Sequence, residues 1–297
     1  MYSPSGLSFD AAERGFLAAV ANFNDVIVAE IAHVASHTSL LATHANHAYD
    51  AGIPVIAAAG NEGPTAGSIT SPGNAHRALA IGALDVKTPA GTETYSGRGP
   101  TDDLRVKPDL IAPTNTWAAS TASTSALKFY SGTSGATPYA GAAAAMAQGY
   151  LSEHMTSVSP GLVYAFMIMS GNLSLITNVM GAGMISMPNP TESTLIWGAT
   201  TLSNSGVTTI TLPSAYASEH IRAAIWWPDP INSINNRISL HVTRPAGSTV
   251  TSNRNNAVWQ KVSMVSSKIG FWEVAIEGTA VTGTQEVFYA IAIEPNP

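Results

Sequence analysis

The stretch that most constrains this chain is residues 131–150, SGTSGATPYAGAAAAMAQGY, a Gly/Ser/Thr turn followed by a run of small apolar residues. Gly132 allows a tight turn that a side chain would obstruct, and Thr133 and Ser134 are types favoured at or before a helix start. Pro138 is expected in the first turn, where its missing N–H costs little. Residues 140–147 are nearly all Ala and Gly, apolar on every face, so this helix belongs in an interior with neighbours packed closely against it. A hydroxyl at its N-terminus meets free N–H groups and the positive end of the dipole, where a developing oxyanion is stabilised. Ser134 reads either as a nucleophile on a buried helix or as a simple N-cap.

Two further blocks bear on that choice. Residues 53–60, IPVIAAAG, form a continuous apolar run bounded by turn residues, which fits a central parallel strand buried on both faces. Asn61 follows at its carboxyl end, where open α/β sheets hold their ligands, although a turn Asn before Glu62-Gly63 has the same local pattern. The third block is Tyr95-Ser96-Gly97-Arg98-Gly99-Pro100-Thr101, continued by Arg105, Lys107-Pro108-Asp109 and Ala112-Pro113.

Residues 132–138, GTSGATP, resemble the G-T-S-x-A-x-P motif around the catalytic serine of the subtilisin-like serine proteases. Residues 55–63, VIAAAGNEG, resemble that family's strand ending in the oxyanion asparagine, and the third block resembles its S-x-R-G-P-T, R-x-K-P-D and A-P elements. Three motifs in the family's order are far more specific than any one alone. Sedolisin-type proteases share the serine motif but place an aspartate where Asn61 stands.

The resemblance implies an α/β fold, a mostly parallel sheet with helices on both faces, followed by a C-terminal antiparallel β-sandwich. It implies a polypeptide substrate attacked by Ser134, with the Asn61 amide and the Ser134 N–H holding the oxyanion. Substrate backbone would lie along Glu30, Ile31, Ala32 and His33 on one side and Ala58, Ala59 and Gly60 on the other. The family has Ser-x-Gly-Gly at the first of these edges. Here Glu30-Ile31-Ala32-His33 implies a specificity pocket that is narrowed or negatively charged. The family's catalytic Asp and His lie upstream of the oxyanion Asn, and by its spacing both are expected before Met1. The chain thus reads as the C-terminal part of a catalytic domain, with the missing N-terminal segment as a partner. A silent scaffold binding protein or glycan is the alternative. Calcium is the one cofactor that the family suggests; no residue is assigned to it, and no metal site is expected.

Residues 10–21 (DAAERGFLAAVA) have helical periodicity, and residues 25–28 read as a short buried strand. Residues 38–50 read as a second helix. It carries His44 and His47, with His33 and His37 nearby; without matching carboxylates or thiols these read as solvent-facing or locally bonded rather than as zinc ligands. Residues 78–84 and 110–113 read as strands, and in the loop 98–108 Arg98, Arg105 and Asp109 are expected to form ion pairs. A helix is expected over residues 159–169, and Pro188-Asn189-Pro190-Thr191 reads as a linker. The boundary falls there, between residues 1–190 and 191–297. Residues 208–212, 221–227, 237–243, 271–276 and 287–293 read as sandwich strands. Trp226, Trp227, Trp259 and Trp272 read as its core, with a carbohydrate platform as the alternative. Relatives carry paired aspartates after a W-x-D-P-like piece, and Asn236-Arg237 in their place weakens a calcium assignment there.

Charged residues are only 11% of the 297, so the polar surface is largely Ser, Thr, Asn and Gly, as in exported proteins. A net charge of −6 with no basic run argues against nucleic acid or an anionic membrane as partner. Cysteine is absent, which rules out disulfides and thiolate metal sites. No apolar run approaches the length needed to span a bilayer.

Overall fold

The structure, a computed structural model, describes residues 2–3, 6–85, 91–231, 236–245 and 247–296. The chain packs as two units, Met1–Pro160 with Thr177–Ile185 and Gly161–Ile176 with Ser186–Pro297.

The first unit begins with a small hairpin, β1 (Tyr2–Ser3) and β2 (Gly6–Leu7). Helix α1 (Phe9–Ala21) starts at Ser8, whose hydroxyl accepts the Ala11 N–H, and α2 (Leu40–Asp50) starts at Ser39, which accepts the Ala42 N–H. Strands β3 (Ile27–Ala29), β4 (Val55–Ala58), β5 (Leu79–Asp85) and β6 (Leu110–Thr114) form one parallel sheet in chain order. Alternation along the strands divides its faces. Ile27, Ala29, Val55 and Ala57 join Phe16, Leu41, Ala42, Ala45 and Ala48 in one apolar core under α1 and α2. Val28 faces the other way, onto α3 (Thr133–Ser152), where a Cβ at Gly141 would sit 2.4 Å from its side chain. Helices therefore cover both faces, as the sequence implied, and the Ala/Gly run is what lets α3 lie this close.

A second hairpin, β7 (Thr116–Ala119) and β8 (Leu127–Tyr130), was not anticipated. Every residue in its strands is exposed or half-buried, so no apolar alternation marks it. Of the loop residues expected to form ion pairs, Arg105 and Asp109 do so and Arg98 does not among the described residues. Arg105 pairs with Asp103 (2.7 Å) and Lys107 with Asp109 (2.5 Å). Both cations are buried and donate to backbone carbonyls of the turn before β5: Arg105 to Asn74 and Ala75, Lys107 to Ala78. Burial lowers the Lys107 pKa against the pull of Asp109.

The second unit holds α4 (Pro160–Ser170), buried along its whole length, and two antiparallel sheets. One has the order β14 (Trp259–Ser266), β11 (Glu219–Trp226), β16 (Thr284–Pro295), β9 (Thr194–Ser203); the other β10 (Val207–Pro213), β15 (Phe271–Ala280), β12 (Arg237–Thr243), β13 (Thr249–Ser252). Trp226, Trp227, Trp259 and Trp272 are all at most 2% exposed, so they are core and offer no platform to a sugar. Tyr164 and Phe166 of α4 stand edge-on to Trp226 and Trp197, at 5.1 and 6.0 Å. Asn236 donates Nδ2 to Gln285 and accepts the Thr282 N–H, so its amide serves the fold. Among the described residues no helix is long and apolar enough to cross a membrane.

Candidate active site

Ser134 is the second residue of α3, and the cap position is Gly132, at φ 83°, with no side-chain capping bond. The N-cap alternative is thereby excluded. Pro138 lies one turn deeper than expected, as the sixth helical residue, so the carbonyl of Ser134 has no i+4 N–H.

The turn before the serine is held from three sides. The Gly132 N–H donates to the Tyr95 hydroxyl (3.1 Å), and the Gly132 carbonyl accepts from Thr114 Oγ1 (2.8 Å). Burial raises the Tyr95 pKa, so this hydroxyl stays neutral at ordinary pH. On the third side, the Thr133 N–H and hydroxyl both donate to Oδ1 of Asn61, at 2.9 and 3.0 Å. Two donors on one oxygen fix the orientation of the Asn61 amide. Its Nδ2 then lies 3.2 Å from where a Cβ of Gly132 would stand. Asn61 is exposed, and neither its Nδ2 nor the Ser134 N–H donates to a protein group among the described residues. The Ser134 hydroxyl donates to the Glu30 carbonyl at 2.6 Å, and no described histidine is bonded to it.

The expected substrate-edge residues fall into two groups. Glu30, Ile31 and Ala32 are half-buried and His33 is exposed. The Glu30 carboxylate accepts from the Tyr130 hydroxyl (2.9 Å), and His33 exchanges both backbone bonds with Ser71 (2.9 Å each). Ala58, Ala59 and Gly60 are fully buried, and the backbone groups of Ala59 and Gly60 are used inside the fold. At φ 99° Gly60 admits no side chain, since a Cβ would fall 2.3 Å from Thr70 Oγ1. A cavity of about 340 Å³ opens between residues 34–36 and 62–74, with Glu62 and Asp102 in its lining.

Sequence reasoning missed Thr133, Tyr95 and Thr114, which fix the turn. Thr133 and Tyr95 lay inside quoted motifs; their role could have been suspected only by asking what would hold the Asn61 amide. It also missed His37, which it read as solvent-facing or locally bonded. His37 Nδ1 lies 2.8 Å from Asp102 Oδ1, across the loop.

A serine on a glycine turn at a helix start, beside an asparagine leaving the end of a parallel strand, is the arrangement that the resemblance to the subtilisin-like serine peptidases implies. Residues 28–170, just under half of the chain, match the subtilase family, and that segment belongs to it. "Serine protease AprX" of Bacillus subtilis (strain 168) is 42% identical over 71 residues, 22% of this chain and 16% of that protein. "Subtilisin" of Bacillus sp. (strain TA39) is 43% identical over 65 residues, 21% of this chain and 16% of that protein. The chain thus aligns with only a small part of either relative. Among solved structures, sphericase superposes with a TM-score of 0.52 at 21% identity, over 63% of this chain and 67% of that one. The prenylagaramide maturation protease PagA gives 0.51 at 19%, over 62% and 67%. These two likenesses concern the fold.

Proposed function

We propose that the complete protein is a serine endopeptidase in which Ser134 forms the acyl-enzyme. The observation that carries this is the pair of hydrogen bonds from the Thr133 N–H and hydroxyl to Asn61 Oδ1. It leaves Asn61 Nδ2 and the Ser134 N–H as preorganised donors for the tetrahedral oxyanion. A serine hydroxyl needs a base, and no described histidine is bonded to Ser134. The base and its orienting carboxylate are therefore assigned to polypeptide outside the described residues. On its arrival the Ser134 hydroxyl leaves the Glu30 carbonyl and turns to the imidazole. Substrate backbone then lies beside residues 30–32, and the cavity lined by Glu62 and Asp102 takes the side chain before the cut and disfavours acidic ones. The two antiparallel sheets of the second unit form a sandwich, and the low charge content fits an exported enzyme.

The silent-scaffold reading has one observation in its favour, the bond that now ties the hydroxyl to Glu30. Fluorophosphonate labelling separates the two. Residues 1–297 alone should remain unlabelled, and co-expression with polypeptide carrying the Asp and His blocks should label Ser134. No labelling in either case supports the scaffold. Labelling of the chain alone, abolished by substituting His33, His37, His44 or His47, would show that a different base has been recruited.

A further inference from the structure

Three segments of the first unit meet at a cluster of which the proposed catalysis uses only Asp102, in the lining of the cavity. His37 follows the Glu30-to-His33 stretch, His76 lies in the turn before β5, and Asp102 and Asp103 lie in the loop before β6. His37 Nδ1 is 2.8 Å from Asp102 Oδ1. A carboxylate only accepts, so this contact places a proton on Nδ1, and Nε2 is the nitrogen with a lone pair to offer a metal ion. That nitrogen lies 3.8 Å from Asp103 Oδ2, and Nε2 of the buried His76 lies 3.0 Å from the same oxygen. His37, His76 and Asp103 offer ligand atoms that all lie within 4.8 Å of one another.

A lone pair facing a carboxylate oxygen is repulsive unless a proton or a metal ion stands between them. Asp103 is held in place for such a role. Thr101 Oγ1 donates to its Oδ1 (2.5 Å) and Arg105 Nε to its Oδ2 (2.7 Å), while the remaining Arg105 nitrogens are spent on backbone carbonyls. Counting Asp102, Asp103 and Arg105, with both rings neutral, the cluster carries one net negative charge and suits a cation.

We propose that His37, His76 and Asp103 bind one divalent transition-metal ion, Zn²⁺ in preference to Ca²⁺ or Mg²⁺. Two imidazoles and one carboxylate are a borderline-soft donor set that suits zinc, whereas calcium and magnesium require oxygen ligands. Asp102 plays the orienting part, holding the Nδ1–H of a ligating histidine. The ion takes the place of the hydrogen shared by His76 Nε2 and Asp103 Oδ2. It ties the stretch after residue 33 to the turn at 76 and the loop at 101–105, and so acts as a staple. The site stands independently of the reading of Ser134.

The test is calorimetric titration of the EDTA-dialysed full chain with ZnCl₂, and with CoCl₂ followed by visible absorption. One equivalent of Zn²⁺ should bind, with no competition from millimolar Ca²⁺, and Co²⁺ should give the intense bands of a tetrahedral site. His37→Gln, at a half-buried position, should weaken Zn²⁺ binding at least tenfold, and Asp102→Asn about 10–100-fold. The double variant His44→Gln/His47→Gln should bind as the parent does. These variants carry the test even if His76→Gln, at a buried position, fails to fold. No binding at millimolar Zn²⁺ would overturn the assignment. So would binding that survives His37→Gln and disappears in the His44/His47 variant.

Discussion

Lys261 is the sharpest probe of the second unit. It lies within β14, 2% exposed, and its Nζ donates to the Leu173 carbonyl at 2.6 Å. Burial, and then the nearby Arg222 guanidinium, lower its pKa from 10.5 to about 7. The unfolded chain keeps this proton up to about pH 10.5, whereas the folded unit releases it from about pH 7. Between those values the unfolded state binds more protons, so stability must rise with pH. Below pH 7 both states are protonated and the folded form carries the full burden. At roughly 1.4 kcal/mol per pH unit the window is worth on the order of 5 kcal/mol, an upper figure. Lys261→Met keeps the stem and removes the charge, but leaves the Leu173 carbonyl without this donor at a cost of about 1–3 kcal/mol. The variant should therefore be more stable than the parent at pH 6, by about 2 kcal/mol or more, and less stable at pH 10. Urea unfolding followed by tryptophan fluorescence reads this unit selectively, because Trp117, the one tryptophan in the first unit, is already 68% exposed. His220, lowered further from its ordinary 6.5 by burial, stays neutral through the window. A parent curve that is flat from pH 7 to 10, or parallel curves for the two proteins, would refute the reasoning.

In the complete enzyme, Asn61→Leu should cut turnover by about two to three orders of magnitude with little change in substrate affinity. That size is taken over from subtilisin, and equal turnover would reduce Asn61 to a turn residue. Gly132→Ala puts a side chain at φ 83° beside Asn61 Nδ2, at a cost of about 1–2 kcal/mol. It should slow Ser134 labelling in the completed enzyme, and unchanged labelling would show that the turn tolerates a Cβ. Asp109→Asn strands Lys107 and should destabilise the first unit by about 3–5 kcal/mol near neutrality, read by hydrogen exchange in α3. Because the Lys107 pKa is already lowered, the deficit should shrink as pH rises; a deficit independent of pH would contradict this.

The first unit was legible where motif and periodicity coincide. The strand 53–60, the asparagine after it and the serine helix each combine a burial pattern with a local turn signal, and the observed β4 and α3 follow them closely. Much of what escaped was held by distance or by exposure, although the largely buried strand β14 escaped as well. The His37–Asp102 contact spans 65 residues, so neither partner marks the other in the sequence. Strands β7 and β8 bury no face and hence lack an apolar period. Strand β9 was missed for the same reason, since only Leu202 in it is fully buried. The helix at 159–169 was read correctly, but nothing in its uniformly apolar surface says which core it fills.

That last point bears on any attempt to take the molecule apart. The polypeptide passes from the first unit to the second after Pro160, returns at Thr177 and leaves again after Ile185. No single cut separates two self-sufficient pieces. A product starting at residue 191 loses α4, and with it the rings of Tyr164 and Phe166 that meet Trp226 and Trp197. A product ending at residue 160 loses residues 177–185, whose Gly183 and Ile185 exchange backbone hydrogen bonds with Ile111 on β6. A proteolytic nick between the units would therefore leave the halves still associated on a sizing column, and heat or denaturant would be needed to part them.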